Sequence, residues 1–108
     1  MSNLAMPKID RKLVAKKASI VQDLKKIIKE DKVLYHEDET RPFETDGLSA
    51  YKQKPLIVVF PENTKEVSKI LSYCNQNRIK VVPRGAGTGL SGGALPTADC
   101  VLLCLGKF

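Results

Sequence analysis

At 108 residues the chain suffices for one small domain and no more. Its hydrophobic share of 43% is ordinary for a globular protein, and with no Trp and only 6% aromatics any core must be aliphatic. No apolar run approaches ~20 residues, which excludes a transmembrane helix. The start, Met1 to Lys17, is lysine-rich without a central apolar block, which argues against a secretory signal. A cytoplasmic protein is expected, with peripheral attachment to the inner membrane through a complex left open.

The net charge of +6 is unevenly spread: residues 1–32 hold nine Lys/Arg against four Asp/Glu, and residues 33–108 nine against eight. A basic face of this kind suits nucleic acid or an acidic partner. No aromatics interleave with the lysines, and Asp10, Asp23, Glu30 and Asp31 break up the patch, so no nucleic-acid partner is expected. The three cysteines, Cys74, Cys100 and Cys104, are odd in number, lie in apolar segments and form no CxxC pair. They read as reduced packing residues, and no metal site is expected.

Three zones follow in chain order. Residues 1–32 form an N-terminal helical segment. Ile20, Val21, Leu24, Ile27 and Ile28 make one helical stripe, and Asp10 or Ser19 could cap helix starts, with a break near Lys17 to Ser19. Residues 33–55 read as an irregular connection anchored by Tyr35, Phe43, Leu48 and Tyr51, with a turn at Asp46-Gly47. Residues 56–108 read as a βαβ unit. Leu56–Phe60 is a continuously apolar run, as in a strand buried on both faces. Asn63 with Glu66 three residues on resembles a capping box, and Val67, Ile70, Leu71 and Cys74 make the stripe of a helix ending near Asn77. Ile79–Val82 is a second strand and Cys100–Leu105 a third. Strand, helix and strand at this spacing predict a small parallel sheet, so the fold class is α/β (α+β) with N-terminal helices.

The richest stretch in chemical terms follows the second strand. Five of the seven glycines, Gly85, Gly87, Gly89, Gly92 and Gly93, fall within nine residues, with Pro83 and Arg84 at the entry. Successive N–H groups of such a segment can face one concavity and hold an anion, phosphate above all. A Walker A loop is excluded, because Gly93 stands where its lysine must be. A dinucleotide loop of the G-x-G-x-x-G type fits poorly: Gly89 comes too early, and the run to Pro96 cannot sustain the long helix that loop needs. No nucleophile–base pair is present either. Ser91 lacks the G-x-S-x-G frame, and His36 reads as a surface residue. No catalytic residue is assigned.

The run Pro83-Arg84-Gly85-Ala86-Gly87-Thr88-Gly89-Leu90-Ser91-Gly92-Gly93 resembles the FAD-pyrophosphate loop of the vanillyl-alcohol oxidase / p-cresol methylhydroxylase (PCMH) flavoprotein superfamily. Within it the likeness is greatest to the FAD-linked 2-hydroxy-acid dehydrogenases, the group of the glycolate oxidase flavin subunit and the D-lactate dehydrogenases. Phe43-Glu44-Thr45-Asp46-Gly47 resembles their YETDG segment, with Phe for Tyr. Pro55–Pro61 resembles the first strand, and Asn63–Val67 the start of the next helix.

The resemblance implies the first subdomain of a PCMH-type FAD-binding domain, with FAD as cofactor. It implies a cofactor site of Pro83, Arg84, Gly85, Ala86, Gly87, Thr88, Gly89, Leu90, Gly92 and Gly93. Arg84 would neutralise phosphate or pair with a carboxylate such as Asp46, and both roles stay open. The family's chemistry is hydride transfer from a small 2-hydroxy acid, glycolate or D-lactate, to the flavin. Flavin and iron–sulfur oxidase subunits are the partners it suggests. Family members are several times longer, so the chain reads as an N-terminal part, inactive alone and prone to self-association at a cut sheet. The alternative is a stand-alone module for a phosphate ligand or protein partner, with the basic helices as its docking face.

Overall fold

The computed structural model describes residues 11–43, 54–85 and 99–105. Its elements are α1 (Arg11–Ala15), α2 (Lys17–Leu24), β1 (Val33–Leu34), α3 (Glu37–Thr40), β2 (Ile57–Val59), α4 (Thr64–Gln76), β3 (Lys80–Arg84) and β4 (Cys100–Cys104), with short 3₁₀ turns at Glu30–Lys32 and Arg41–Phe43. The expected α/β class with leading helices is observed.

Among the described residues one sheet forms, in the order β1-β2-β4-β3. β4 is parallel to both β2 and β3, so those two run in the same direction as expected. They are not neighbours, however: β4 lies between them. The sheet is also mixed rather than all-parallel, because β1 pairs antiparallel with β2, Val33 facing Val59 and Leu34 facing Val58. That strand lies in the stretch read as irregular. Two residues carry no alternation, so pattern alone could not reveal it. The Phe60 N–H extends the pairing by donating to the Lys32 carbonyl at 3.0 Å.

Strand placement follows polarity. Cys100–Leu103 is buried throughout, which suits a central strand covered on both faces. β3 carries Lys80, Pro83 and Arg84, and a proline that cannot donate to a ladder belongs on an edge. Alternate residues supply two cores. Ile57, Val59, Val101 and Leu103 face α2 and α4 through Leu24, Ile70 and Cys74. Val58, Val82, Cys100 and Leu102 form the second cluster, with Phe43 and Phe60 packed against it.

The helical zone breaks at Lys16, one residue before the expected interval. Ile20, Val21 and Leu24 are buried on α2, and Ile28 is buried in the turns that follow it. Tyr73 of α4 donates its hydroxyl to Asp23 of α2 at 2.7 Å, tying the leading helices to the sheet's own helix. Desolvation first, and that carboxylate second, raise the Tyr73 pKa.

α4 starts as its sequence demands. The Asn63 side chain accepts the Glu66 N–H at 2.9 Å, while Glu66 Oε1 accepts the Glu62 N–H at 2.7 Å. The reciprocal bond thus reaches one residue beyond the cap itself. Leu71 was expected on the apolar stripe but is 43% exposed; Val67, Ile70 and Cys74 make the stripe instead, with Tyr73 beside it. The helix closes in a Schellman turn, Ile79 N–H to Cys74 carbonyl at 2.8 Å and Arg78 N–H to Asn75 carbonyl at 3.3 Å. Arg78 takes φ 56° there, a conformation that costs any residue with a Cβ.

Candidate cofactor site at the carboxyl edge of the sheet

Parallel strands expose their carboxyl ends along one edge, and open α/β sheets bind ligands there. In this protein that edge gathers Phe60-Pro61-Glu62 after β2, Arg84-Gly85 at the end of β3, and Cys104-Leu105 at the end of β4. Because β1 is antiparallel, its start brings Asp31 and Lys32 to the same edge.

A cleft of about 370 Å³ opens there, lined by Asp31, Lys32, Phe60, Pro61, Glu62 and Cys104. Glu62 lies between two cations, 3.6 Å from Lys29 Nζ and 3.8 Å from Lys32 Nζ. Phe60 meets Phe43 edge-on with ring centroids 5.9 Å apart. Arg84 stands opposite Cys104 in the β3–β4 register, and its carbonyl accepts the Leu105 N–H at 2.9 Å. Burial raises the pKa of the Cys104 thiol, and Arg84 opposes that shift. Burial thus disfavours the thiolate, the nucleophilic form, at this wall of the cleft.

Of the residues expected to hold the cofactor, Pro83 and Arg84 close β3 and Gly85 follows at the surface. Ala86, Gly87, Thr88, Gly89, Leu90, Gly92 and Gly93 lie outside the described residues, as do Asp46, Leu48, Tyr51 and Ser91. The ends of their connection are described: the chain leaves at the carboxyl edge after Arg84 and returns at the amino edge at Asp99.

His36 is exposed and remote from the cleft, at the other end of β1, as expected of a surface residue. Its N–H and that of Tyr35 both donate to Glu39 Oε1 at 3.2 Å, which lowers the Glu39 pKa. The three cysteines are free. Cys74 is sealed against the sheet, and burial pushes its pKa up to about 11. Among the described residues no cluster could hold a metal ion, and no helix is long and apolar enough to cross a membrane.

Sequence reasoning missed Lys32, Phe60 and Glu62 as members of one edge, because only the antiparallel return of β1 brings Lys32 there. It also missed Asp99, a carboxylate with no solvent exposure, 3.2 Å from Lys80 Nζ. Its signal was present: an acid directly before an all-apolar strand.

The sequence profile of the FAD binding domain family matches residues 55–108, half of the chain. The chain belongs to that family. FAD is therefore its cofactor, and the matched span begins two residues before β2 and includes the whole glycine-rich connection. Glycolate oxidase subunit GlcD of Escherichia coli (strain K12) is 43% identical over 96% of this chain and 20% of its own length. A probable mitochondrial D-2-hydroxyglutarate dehydrogenase of Oryza sativa is 42% identical over 80% of this chain and 15% of its own. A putative mitochondrial D-lactate dehydrogenase of Schizosaccharomyces pombe is 44% identical over 59% of this chain and 12% of its own. The chain thus spans a fifth or less of the length of these curated relatives. Among solved structures, p-cresol methylhydroxylase with substrate bound matches the fold with a TM-score of 0.69 at 21% identity, over 90% of this chain and 19% of its own. Alkyldihydroxyacetonephosphate synthase matches with a TM-score of 0.63 at 19% identity. The PCMH-type fold and the likeness to FAD-linked 2-hydroxy-acid oxidoreductases expected from the glycine-rich run are both borne out.

Proposed function

We propose that this chain forms the first part of an FAD-linked dehydrogenase of small 2-hydroxy acids. In this reading it holds the FAD pyrophosphate through the backbone of Gly85, Ala86, Gly87, Thr88 and Gly89. Pro83 and Arg84 shape the entry, and Leu90, Gly92 and Gly93 let the chain turn beneath the flavin. The carrying observation is the launch of the glycine-rich connection from the carboxyl edge, inside the family match. Support for the substrate class comes from the relatives' names, since glycolate, D-2-hydroxyglutarate and D-lactate are all 2-hydroxy acids.

The described residues fit such a cofactor by the chemistry of their donors. Arg84 and Lys32 are cations at the edge where the connection begins, and a diphosphate needs cations and N–H donors. Phe60 and Pro61 offer apolar surface in the adjoining cleft. When bound, FAD supplies the hydride acceptor for oxidation at the substrate α-carbon. The chain's own part is to bind and orient: each N–H to a phosphate oxygen is a charge-assisted hydrogen bond worth ~1.5–3 kcal/mol. Arg84 balances the phosphate charge. Residues that bind the substrate carboxylate or take the hydroxyl proton are assigned to later parts of the parent protein.

The same reading places the parent in the cytoplasm, attached to a membrane only through other oxidase subunits, flavin and iron–sulfur proteins among them. Three free cysteines suit that reducing compartment. Alone, the chain is expected to be catalytically inactive and to self-associate. Mixing it with FAD, glycolate or D-lactate and a dye acceptor tests the first point: no dye reduction is expected, and steady turnover would refute it. Sedimentation tests the second, and a monomer at every concentration would contradict it.

A further inference from the structure

The seam between α2 and α4 is polar where helix seams are ordinarily filled with apolar side chains. Lys16, Ser19, Ile20 and Asp23 follow the i, i+3, i+4, i+7 spacing of one helix face. They line a cleft of about 320 Å³ together with Tyr73 and Asn77, four apart near the end of α4. Leu13, Ile20 and Ile79, all buried, give it an apolar floor. A volume of this size suits a small organic molecule. The cleft shares no residue with the one at the carboxyl edge.

The hydrogen bonds inside the seam leave a particular surplus. The Tyr73 hydroxyl donates to Asp23 Oδ2 at 2.7 Å, and Asn77 Nδ2 donates to the Tyr73 carbonyl at 2.8 Å. Desolvation first, and Asp23 second, hold the Tyr73 proton in place, so the carboxylate carries the charge. The Tyr73 donor is thus spent, while Asp23 Oδ1, the Tyr73 phenol oxygen and Asn77 Oδ1 still accept. Such a set of acceptors, one of them charged, calls for a group with several N–H donors and a positive charge. Lys16 stands on the same helix face, exposed, and meets no carboxylate among the described residues. It repels a bare cation and attracts a carboxylate, and Asp23 does the reverse. A ligand of one sign satisfies one of them; a ligand carrying both signs satisfies the pair. Two turns of helix, about 10 Å, separate their backbones. The flexible four-carbon stem of lysine spans much of that distance, so neighbouring ammonium and carboxylate groups can meet both.

We propose that this cleft binds a free α-amino acid with an apolar side chain, its ammonium on Asp23, Tyr73 and Asn77, its carboxylate on Lys16 and its side chain on Ile20 and Ile79. A peptide end carries only one of the two charges, so the free amino acid is the class selected. The site is separate from the cofactor's, and its test does not depend on FAD.

L-Leucine is the probe, with two analogues that each lack one charged group: 3-methylbutylamine, without the carboxylate, and 4-methylpentanoate, without the ammonium. Amide resonances of the isotope-labelled chain are followed by NMR as each is added. L-Leucine should bind with a dissociation constant of about 1 mM, near what so few atoms can supply. Shifts should fall at Ser19, Ile20, Asp23 and Asn77, with Lys32 and Phe60 unmoved. Each analogue should bind about tenfold more weakly, having lost one charge-assisted contact. Lys16→Ala, at an exposed position, should bring L-leucine down to the amine's affinity while leaving the amine no weaker than before. Asp23→Asn should weaken L-leucine about tenfold, and if that variant fails to fold, Lys16→Ala still decides. No saturable shift up to the solubility of L-leucine would overturn the proposal. So would equal binding of all three probes, which marks apolar contact without recognition of charge, and so would shifts centred on Lys32 and Phe60.

Discussion

At the carboxyl edge of the sheet, β2, β3 and β4 end beside an open cleft with Lys32, Phe60 and Glu62 on its walls. At the amino edge the same strands begin closed: Asp99 is sealed against Lys80, and the Leu56 N–H donates to the Cys100 carbonyl at 2.9 Å. The contrast shows how the fold divides its work. An open cleft lies where the strands stop, and local contacts close the edge where they start. α4 runs between the two edges and repeats the contrast. Its start is capped by Asn63, and its end is closed by Arg78 in a left-handed conformation.

The contrast can be broken most severely at Arg84. Replacing it with Ala should weaken FAD binding about ten- to a hundredfold, the loss of one charge-assisted contact. Lys54→Ala, at the amino edge, should leave the affinity unchanged. Titration by flavin fluorescence checks both, and equal losses would erase the distinction between the edges. Next comes the cap: Asn63→Ala should cost about 1 kcal/mol of stability in urea unfolding, since the Glu66 N–H loses its acceptor. At the other end of α4, Arg78→Gly should stabilise by about 0.5–1 kcal/mol, because glycine takes φ 56° without steric cost. The two substitutions on one helix should therefore move the midpoint in opposite directions.

The smallest effect concerns acid. Glu37 has its pKa lowered by Lys54, whose Nζ lies 2.7 Å away, and Glu39 has its pKa lowered by the N–H groups of His36 and Tyr35. A carboxylate with a lowered folded-state pKa adds stability above its ordinary value and loses it as pH falls through the lowered one. Thermal midpoints should therefore decline as pH drops below about 4.5. Glu37→Gln with Glu39→Gln should flatten part of that decline. Both glutamates are solvent-facing, so the change should be slight.

Much of this architecture was legible because its signals are local. The Asn63–Glu66 cap, the stripe of α2 and the unbroken apolar runs at Leu56–Phe60 and Cys100–Leu105 each reflect burial or a backbone bond within a few residues. The glycines were legible for a similar reason, as a cluster with few structural uses. Topology was less so. That β4 lies between β2 and β3 depends on long-range pairing, which no local pattern carries. β1 was hidden by its length. Lys32 joined the candidate site only through that strand's direction, and Asp99 only through a partner nineteen positions upstream.

In the function proposed, the carboxyl edge receives the cofactor's diphosphate. Titrating the isotope-labelled chain with FAD, and following its amide resonances by NMR, tests this even if binding is weak. Shifts should concentrate at Arg84, Gly85, the glycines that follow and Lys32 across the edge, with α3 and Lys54 unmoved. Shifts confined to the amino edge, or none at saturating FAD, would contradict the claim.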